Sequence, residues 1–294
     1  MPSTRDIRRR IVSVKKTAQI TSAMEKVAQA KMARAQQAAT AGRPYAELMN
    51  RVLGEVVNHA GDFDHPFMMA RGGDKRALIL VTTDKGMCGP VNSNLLRKVT
   101  DEFVTDNTRV IAAGKKGAQH ASRVGWDLAA EFSYSDTPVF PEARAIARMA
   151  TELFENADVD QVDIAFTNFV NTITQKPEVQ TLLPITEIKG VQAGLEGEEM
   201  ASELPGGTAE FLFEPSASGV LGALLPHYIN FQIHQILLEA KASEFSSKMV
   251  AMKNATDNAN DLIKDLTLEY NKMRQAAITS ELLEITTAQM ALGN

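Results

Sequence analysis

The sequence predicts an α/β fold of unusual build: a long antiparallel coiled coil of the N- and C-terminal helices, with a Rossmann-like α/β domain inserted between them. Three observations predict it. First, the 294-residue chain has no glycine or proline between Pro2 and Gly42, and none between Pro226 and Gly293. Such tracts read as uninterrupted helices. At about 1.5 Å per residue they would reach roughly 60 Å and 100 Å, longer than a compact domain needs. Second, apolar residues in both tracts recur at steps of three and four. Third, the middle of the chain alternates short β-branched runs with helical stretches, the pattern of a mainly parallel sheet.

In the first tract the stripe runs Ile7, Ile11, Val14, Ala18, Thr21, Met24, Ala28, Met32, Ala35. In the second it runs Ile229, Ile233, Ile236, Ala240, then Phe245, Met249, Met252, Ala255, Ala259, Leu262, Leu266. These stripes are narrow and rich in small residues, which suits two helices winding on each other. Joined through a globular insert, such helices must run antiparallel if they pair. In the insert, strands are expected at 76–83, 110–113, 162–170, 179–185 and 209–213, with helices at 91–104, 115–124 and 141–156. The last two strands have no helix between them, so an antiparallel edge is expected. Residues 190–207, rich in Gly and Glu, read as a loop. The divisions are 1–58 for the N-terminal coiled-coil helix, 74–208 for the α/β domain, and 209–294 for a C-terminal strand and long helix.

Composition narrows the classes. No run of about 18 apolar residues occurs, so nothing is expected to span a membrane. The amino terminus, MPSTRDIRRR, lacks the apolar core of a secretory signal. Cys88 is the only cysteine, which excludes a disulfide framework and a cysteine-rich metal site. A reducing cytoplasm is the simplest compartment. The net charge of −5 is unevenly spread. Residues 1–43 carry ten Lys or Arg against two acids, while residues 44–226 carry 15 basic and 26 acidic residues. The basic arm fits a nucleic-acid binder, a presequence, or a helix facing an acidic protein surface; a merely solvated face is the plainer alternative. A presequence fits poorly, because the heptad-like stripe already begins at Ile7.

The candidate chemical motifs are weak. The turn Asp84-Lys85-Gly86-Met87-Cys88-Gly89 follows a strand and opens a helix, where phosphate loops sit. It matches neither common phosphate-loop pattern, and Gly86 and Gly89 read as residues that satisfy a tight turn with Asp84. Cys88 as a nucleophile lacks a base partner. Ala113-Gly114-Lys115-Lys116-Gly117 lacks the spacing and hydroxyl of a phosphate loop. His227 and His234, seven apart on one helix face, are too few for a metal site. No catalytic residue, cofactor or metal is expected.

Several segments together resemble the gamma subunit family of F-type ATP synthases. They are Ile20-Thr21-Ser22-Ala23-Met24-Glu25-Lys26-Val27-Ala28, the Asp84–Gly89 turn with Asn92-Ser93-Asn94, Lys248-Met249-Val250-Ala251-Met252-Lys253-Asn254-Ala255-Thr256-Asp257-Asn258-Ala259, and Ile278-Thr279-Ser280-Glu281-Leu282-Leu283-Glu284-Ile285. The resemblance covers nearly the whole chain. It implies a bacterial rotor shaft, present once per complex, on the cytoplasmic face of the inner membrane. Its partners would be the alpha and beta subunits of the catalytic ring, the epsilon subunit and the membrane rotor ring, with no nucleic acid. The catalytic sites would belong to the ring, within the proton-translocating complex EC 7.1.2.2. By the resemblance, Arg274, Gln275, Thr279, Met24, Arg8 and Arg9 would contact beta, and Phe211, Phe213 and Glu214 would lie at the rotor-ring foot. Departures are Lys85 for Arg, Pro90 for Gly, Phe for Tyr at 211 and 213, and Ala288-Gln289 where Gly-Ala is usual. The single cysteine excludes the paired-cysteine switch of chloroplast relatives.

Overall fold

The structure is a computed structural model that describes residues 3–60, 65–185, 214 and 216–292. The expected strand at 209–213 and the expected loop at 190–207 lie outside the described residues, as do Phe211 and Phe213. The chain divides into two compact units, residues 1–27 with 249–294, and residues 28–248.

Two long helices enter both units: α1 (Thr4–Ala41) and α6 (Ala217–Leu292). Ser3 and Asp6 cap α1 reciprocally. The Asp6 amide donates to Ser3 Oγ at 3.2 Å, and the Ser3 amide donates to Asp6 Oδ2 at 3.2 Å. In the first unit, the residues of α1 that are shielded from solvent include the expected stripe, Ile7, Ile11, Val14, Ala18, Thr21 and Met24, with Thr4, Ser22 and Glu25 partly shielded beside it. On α6 they include Met252, Ala259, Ile263 and Leu266. Leu262, assigned to the stripe by sequence, is 39% exposed, and its neighbour Ile263 takes the inward place. A step of four followed by three after Ala259 keeps the seam facing its partner. A hydrogen bond of 2.7 Å between Thr21 and Thr256 crosses this seam.

The second unit holds a five-stranded sheet: β1 (Arg76–Val81), β2 (Thr108–Ala113), β3 (Asp127–Phe132), β4 (Gln161–Phe169) and β5 (Gln175–Leu183). The order is β3-β2-β1-β4-β5, all parallel except β5, which pairs antiparallel with β4. The helices are α2 (Arg43–Ala60), α3 (Val91–Glu102), α4 (Lys115–Val124) and α5 (Phe140–Glu155). Alternate residues of β1 serve opposite faces. Ala77, Ile79 and Val81 join α2, α5 and α6 in one cluster, while Leu78 and Leu80 join α3 and α4 in the other. This two-sided burial explains why the strand reads as a continuous apolar run.

Three elements differ from the sequence expectation. β3 is a strand that sequence reading missed, because Asp-Leu-Ala-Ala-Glu-Phe has no β-branched residue; pairing with β2 decides it. The second long helix starts at Ala217 and carries Pro226 inside it. Proline removes one backbone donor and crowds the carbonyl four residues back, and the burial of Leu221, Leu225, Tyr228 and Ile229 around it offsets that cost. At Gly42 the first helix breaks, and α2 lays Ala46, Met49, Leu53 and Val56 onto the sheet core.

Candidate interaction surfaces and the filled crevice

In a doubly wound sheet, ligands bind outside the carboxyl ends of the strands, at the point where strand order reverses. Here the chain moves outward from β1 to β2 and β3, then returns to place β4 on the other side of β1. The reversal point therefore lies between β1 and β4. That place is occupied by α6. The Ser247 hydroxyl donates to the Cys88 carbonyl after β1 at 2.7 Å, and Ser243 donates to the Thr167 carbonyl of β4 at 2.9 Å. Ser246 donates to the Thr172 carbonyl, just past β4, at 2.7 Å. Every residue from 235 to 247 is buried, including seven polar ones.

Charges inside this enclosed stretch are paired. Glu244 accepts from Lys241 at 3.0 Å and from Lys248 at 2.8 Å. Lys241 also stands over the Tyr134 ring, 4.4 Å from its centroid, and the Tyr134 hydroxyl donates to the Thr82 carbonyl at 2.9 Å. Burial, reinforced by the nearby carboxylates of Glu244, Asp84 and Glu142, holds the Tyr134 phenol well above its usual titration range. From α1, Lys31 pairs with Asp136 at 2.5 Å and lies over Phe245, while Gln235 donates to the Ala39 carbonyl at 3.4 Å. Within this unit, contacts that ascend α1 descend α6, so the two helices run antiparallel.

The fold uses up the phosphate-loop candidate at 113–117. The helix-start amides that would greet a phosphate already have partners. The Lys115 amide donates to Asp84 Oδ1 at 3.0 Å, the Lys116 amide to the Thr83 carbonyl at 3.1 Å, and the Gly117 amide to Thr82 Oγ1 at 2.8 Å. In the 84–89 turn, Gly89 has φ +60°, as the tight-turn reading requires. Gly86 does not; Met87 carries the second left-handed residue at φ +62°. Asp84 is the residue that docks this turn onto α4. Cys88 is buried, with its sulfur near Asn92 Nδ2 at 3.4 Å and Thr83 Oγ1 at 3.8 Å; these neighbours supply no base. His234 is half-buried, its Nε2 lies 3.2 Å from the Pro138 carbonyl, and its ring meets Phe140 edge-on. Burial lowers its pKa against the opposing influence of that carbonyl and Glu142.

The outer surfaces look different. From Arg274 to Met290 every residue of α6 is exposed. This stretch includes Ile278 at 49%, Leu282 at 58%, Leu283 at 60% and Ile285 at 54%. Arg274, Gln275 and Thr279 all lie here, and the Thr279 hydroxyl folds back onto the Gln275 carbonyl at 2.9 Å. Arg8 and Arg9 are exposed on α1, Met24 is half-buried in the seam, and Glu214 is exposed. Sequence reading missed Ser243, Ser246, Ser247 and the Lys241–Glu244–Lys248 ladder. One signal was present: the stripe on α6 skips from Ala240 to Phe245, a step of five that no two-helix seam produces.

The family model for ATP synthase matches residues 3–292. The ATP synthase gamma chain of Opitutus terrae is 48% identical over 99% of both chains, and that of Methylacidiphilum infernorum is 43% identical over 100% of both. This chain belongs to the ATP synthase gamma chain family. As a gamma chain it is a subunit of ATP synthase. A solved structure of the Tetrahymena thermophila mitochondrial ATP synthase, central stalk and c-ring, holds a chain that is 26% identical, with a TM-score of 0.58, over 80% of this chain and 99% of that one. A chain of the Euglena gracilis mitochondrial ATP synthase, covering 98% of this chain and 94% of its own, shares the fold at a TM-score of 0.68 and 20% identity. Among the described residues, no helix is long and apolar enough to cross a membrane.

Proposed function

We propose that this gamma chain is the central rotating stalk of an F-type ATP synthase, carrying torque between the proton-driven membrane rotor ring and the catalytic ring of alpha and beta subunits. It has no active site of its own, stands once in each complex, binds epsilon near the rotor ring, and works at the cytoplasmic face of a bacterial inner membrane.

One observation carries this reading: between Ile278 and Met290, α6 presents large apolar residues to solvent, with no cover from the described residues. A single helix with such a surface needs a partner. A sleeve formed by the catalytic ring supplies one, and the apolar tip can turn within it. Arg274, Gln275 and Thr279 meet beta at its upper part. Arg8, Arg9 and the neighbourhood of Met24 face acidic parts of beta lower down. Exposed ion pairs contribute only about 0.2–1 kcal/mol each, so steric displacement of beta does most of the coupling. The non-catalytic role is supported by the crevice, where an enzyme of this fold would bind its substrate and where α6 stands instead. The foot comprises Glu214 with Phe211 and Phe213.

The test is co-purification. A tag on this chain is expected to bring down alpha, beta and epsilon in fixed ratio, together with ATPase activity. Recovery of the chain alone, or with nucleotide bound directly to it, overturns the reading. Arg274→Glu is expected to weaken assembly with the ring; full assembly with normal ATPase counts against that contact.

A further inference from the structure

Hydroxyls on a helix usually have an easy partner in their own helix, the carbonyl four residues back. Along α6 beyond residue 249 the threonines follow that habit. Thr256 donates to Met252, Thr267 to Ile263, Thr279 to Gln275, and Thr286 and Thr287 to Leu282 and Leu283. The serines at 243, 246 and 247 do not. Each reaches out to a carbonyl of a different part of the sheet domain: β4, the β4–β5 hairpin, and the turn after β1. All three are almost fully enclosed, at 0%, 0% and 4% exposure. Gln175 adds a donor to Ser246 at 3.4 Å. Spacings of three and four put them on one face of the helix.

Short hydroxyls bonded to three separate backbone points resist both rotation and sliding of the helix. A purely apolar contact of the same size resists neither with direction, because burial is indifferent to small slips. From this contrast we infer that Ser243, Ser246 and Ser247 are the anchor by which the sheet domain holds α6 against turning. They are positioning residues for energy coupling. The inference rests on the stalk reading above and deepens it, since only a loaded helix needs a directional hold.

The experiment uses the whole ATP synthase in inverted membrane vesicles. It compares the parent with Ser247→Ala, Ser243→Ala and the double variant. Three quantities are read: the amount of complex assembled, ATP hydrolysis, and protons pumped per ATP hydrolysed. The expected result is normal assembly and hydrolysis, with pumping per ATP lowered about twofold or more in the double variant and less in each single one. Thr151→Ala on α5, whose hydroxyl bonds its own helix at the Arg148 carbonyl, is expected to leave the ratio unchanged. Unchanged pumping per ATP in the double variant overturns the anchor while leaving the stalk reading intact. Failure of even the single variants to assemble assigns the hydroxyls to folding alone and also overturns it. Failure of the parent chain to join a complex strikes the stalk reading itself.

Discussion

Two stretches of the same helix have opposite surroundings. Residues 235–247 of α6 are buried on every side, although seven of the thirteen are polar or charged. Residues 274–290 are exposed on every side, although several are large and apolar. Helix propensity separates them little, so their surroundings make the difference. The first stretch is finished: its charges are paired and its hydroxyls have acceptors within the chain. The second is unfinished, with apolar surface that none of the described residues covers.

The comparison breaks most easily at Glu244. Its carboxylate is the shared partner of Lys241 and Lys248. Removing one member of a buried pair leaves uncompensated charge and costs about 3–5 kcal/mol. Glu244→Ala should therefore lower the unfolding free energy by that order in denaturant titration of the isolated chain. A loss below about 1 kcal/mol would mean that water reaches the ladder and that the stretch is not enclosed. Next in size is Gly114→Ala. Gly114 opens α4 at φ +111°, and a methyl there would sit against the Thr82 carbonyl, far inside contact distance. The backbone alone costs about 1–3 kcal/mol, and the crowding adds to it. The same titration checks it; an unchanged midpoint would show that the turn can relax.

Histidine sharpens the contrast without any deletion. All five histidines fall within residues 28–248, and none in the unit that holds the exposed tip. Burial lowers the pKa of His65, His120 and His234 in the folded chain. A group whose folded pKa is depressed binds more protons when unfolded. Its stabilising effect is then fully present above the usual value near 6.5 and fades as pH falls below it. Unfolding midpoints should thus drop from pH 7.5 to 5.5, and His234→Phe should flatten part of that drop. A midpoint that rises on acidification would contradict the burial of these rings.

How much of this could be read from the residues alone follows the same division. The seam of α1, the strands at 76, 110 and 162, and the helix at 115–124 were legible because periodicity and punctuation are local signals. The strand β3 was not, since its alanines carry no strand preference and only the neighbour β2 decides. The start of α6 was hidden by Pro226, which local rules read as a stop. The serine anchor was invisible for a different reason. Serine on a helix normally reads as solvated, and only the fold shows that three sheet segments come within reach. The tip of α6 is a different case: its residues were singled out only through the family resemblance, and their exposure has no local signature in the sequence.

The smallest expected effect is the one that isolates the tip. Leu283 is 60% exposed, and leucine and lysine have similar helix propensity. Leu283→Lys should therefore change the stability of the isolated chain by no more than about 0.5 kcal/mol. The same substitution puts a charge into whatever sleeve receives the helix, where an unpaired charge is poorly tolerated. Stability measured on the free chain and yield of assembled complex should then part company, the first steady and the second reduced. If both stay steady, the tip meets no apolar wall, and its exposed leucines are ordinary surface residues. If both fall, the tip already packs on its own chain, and the contrast between the two stretches of α6 disappears.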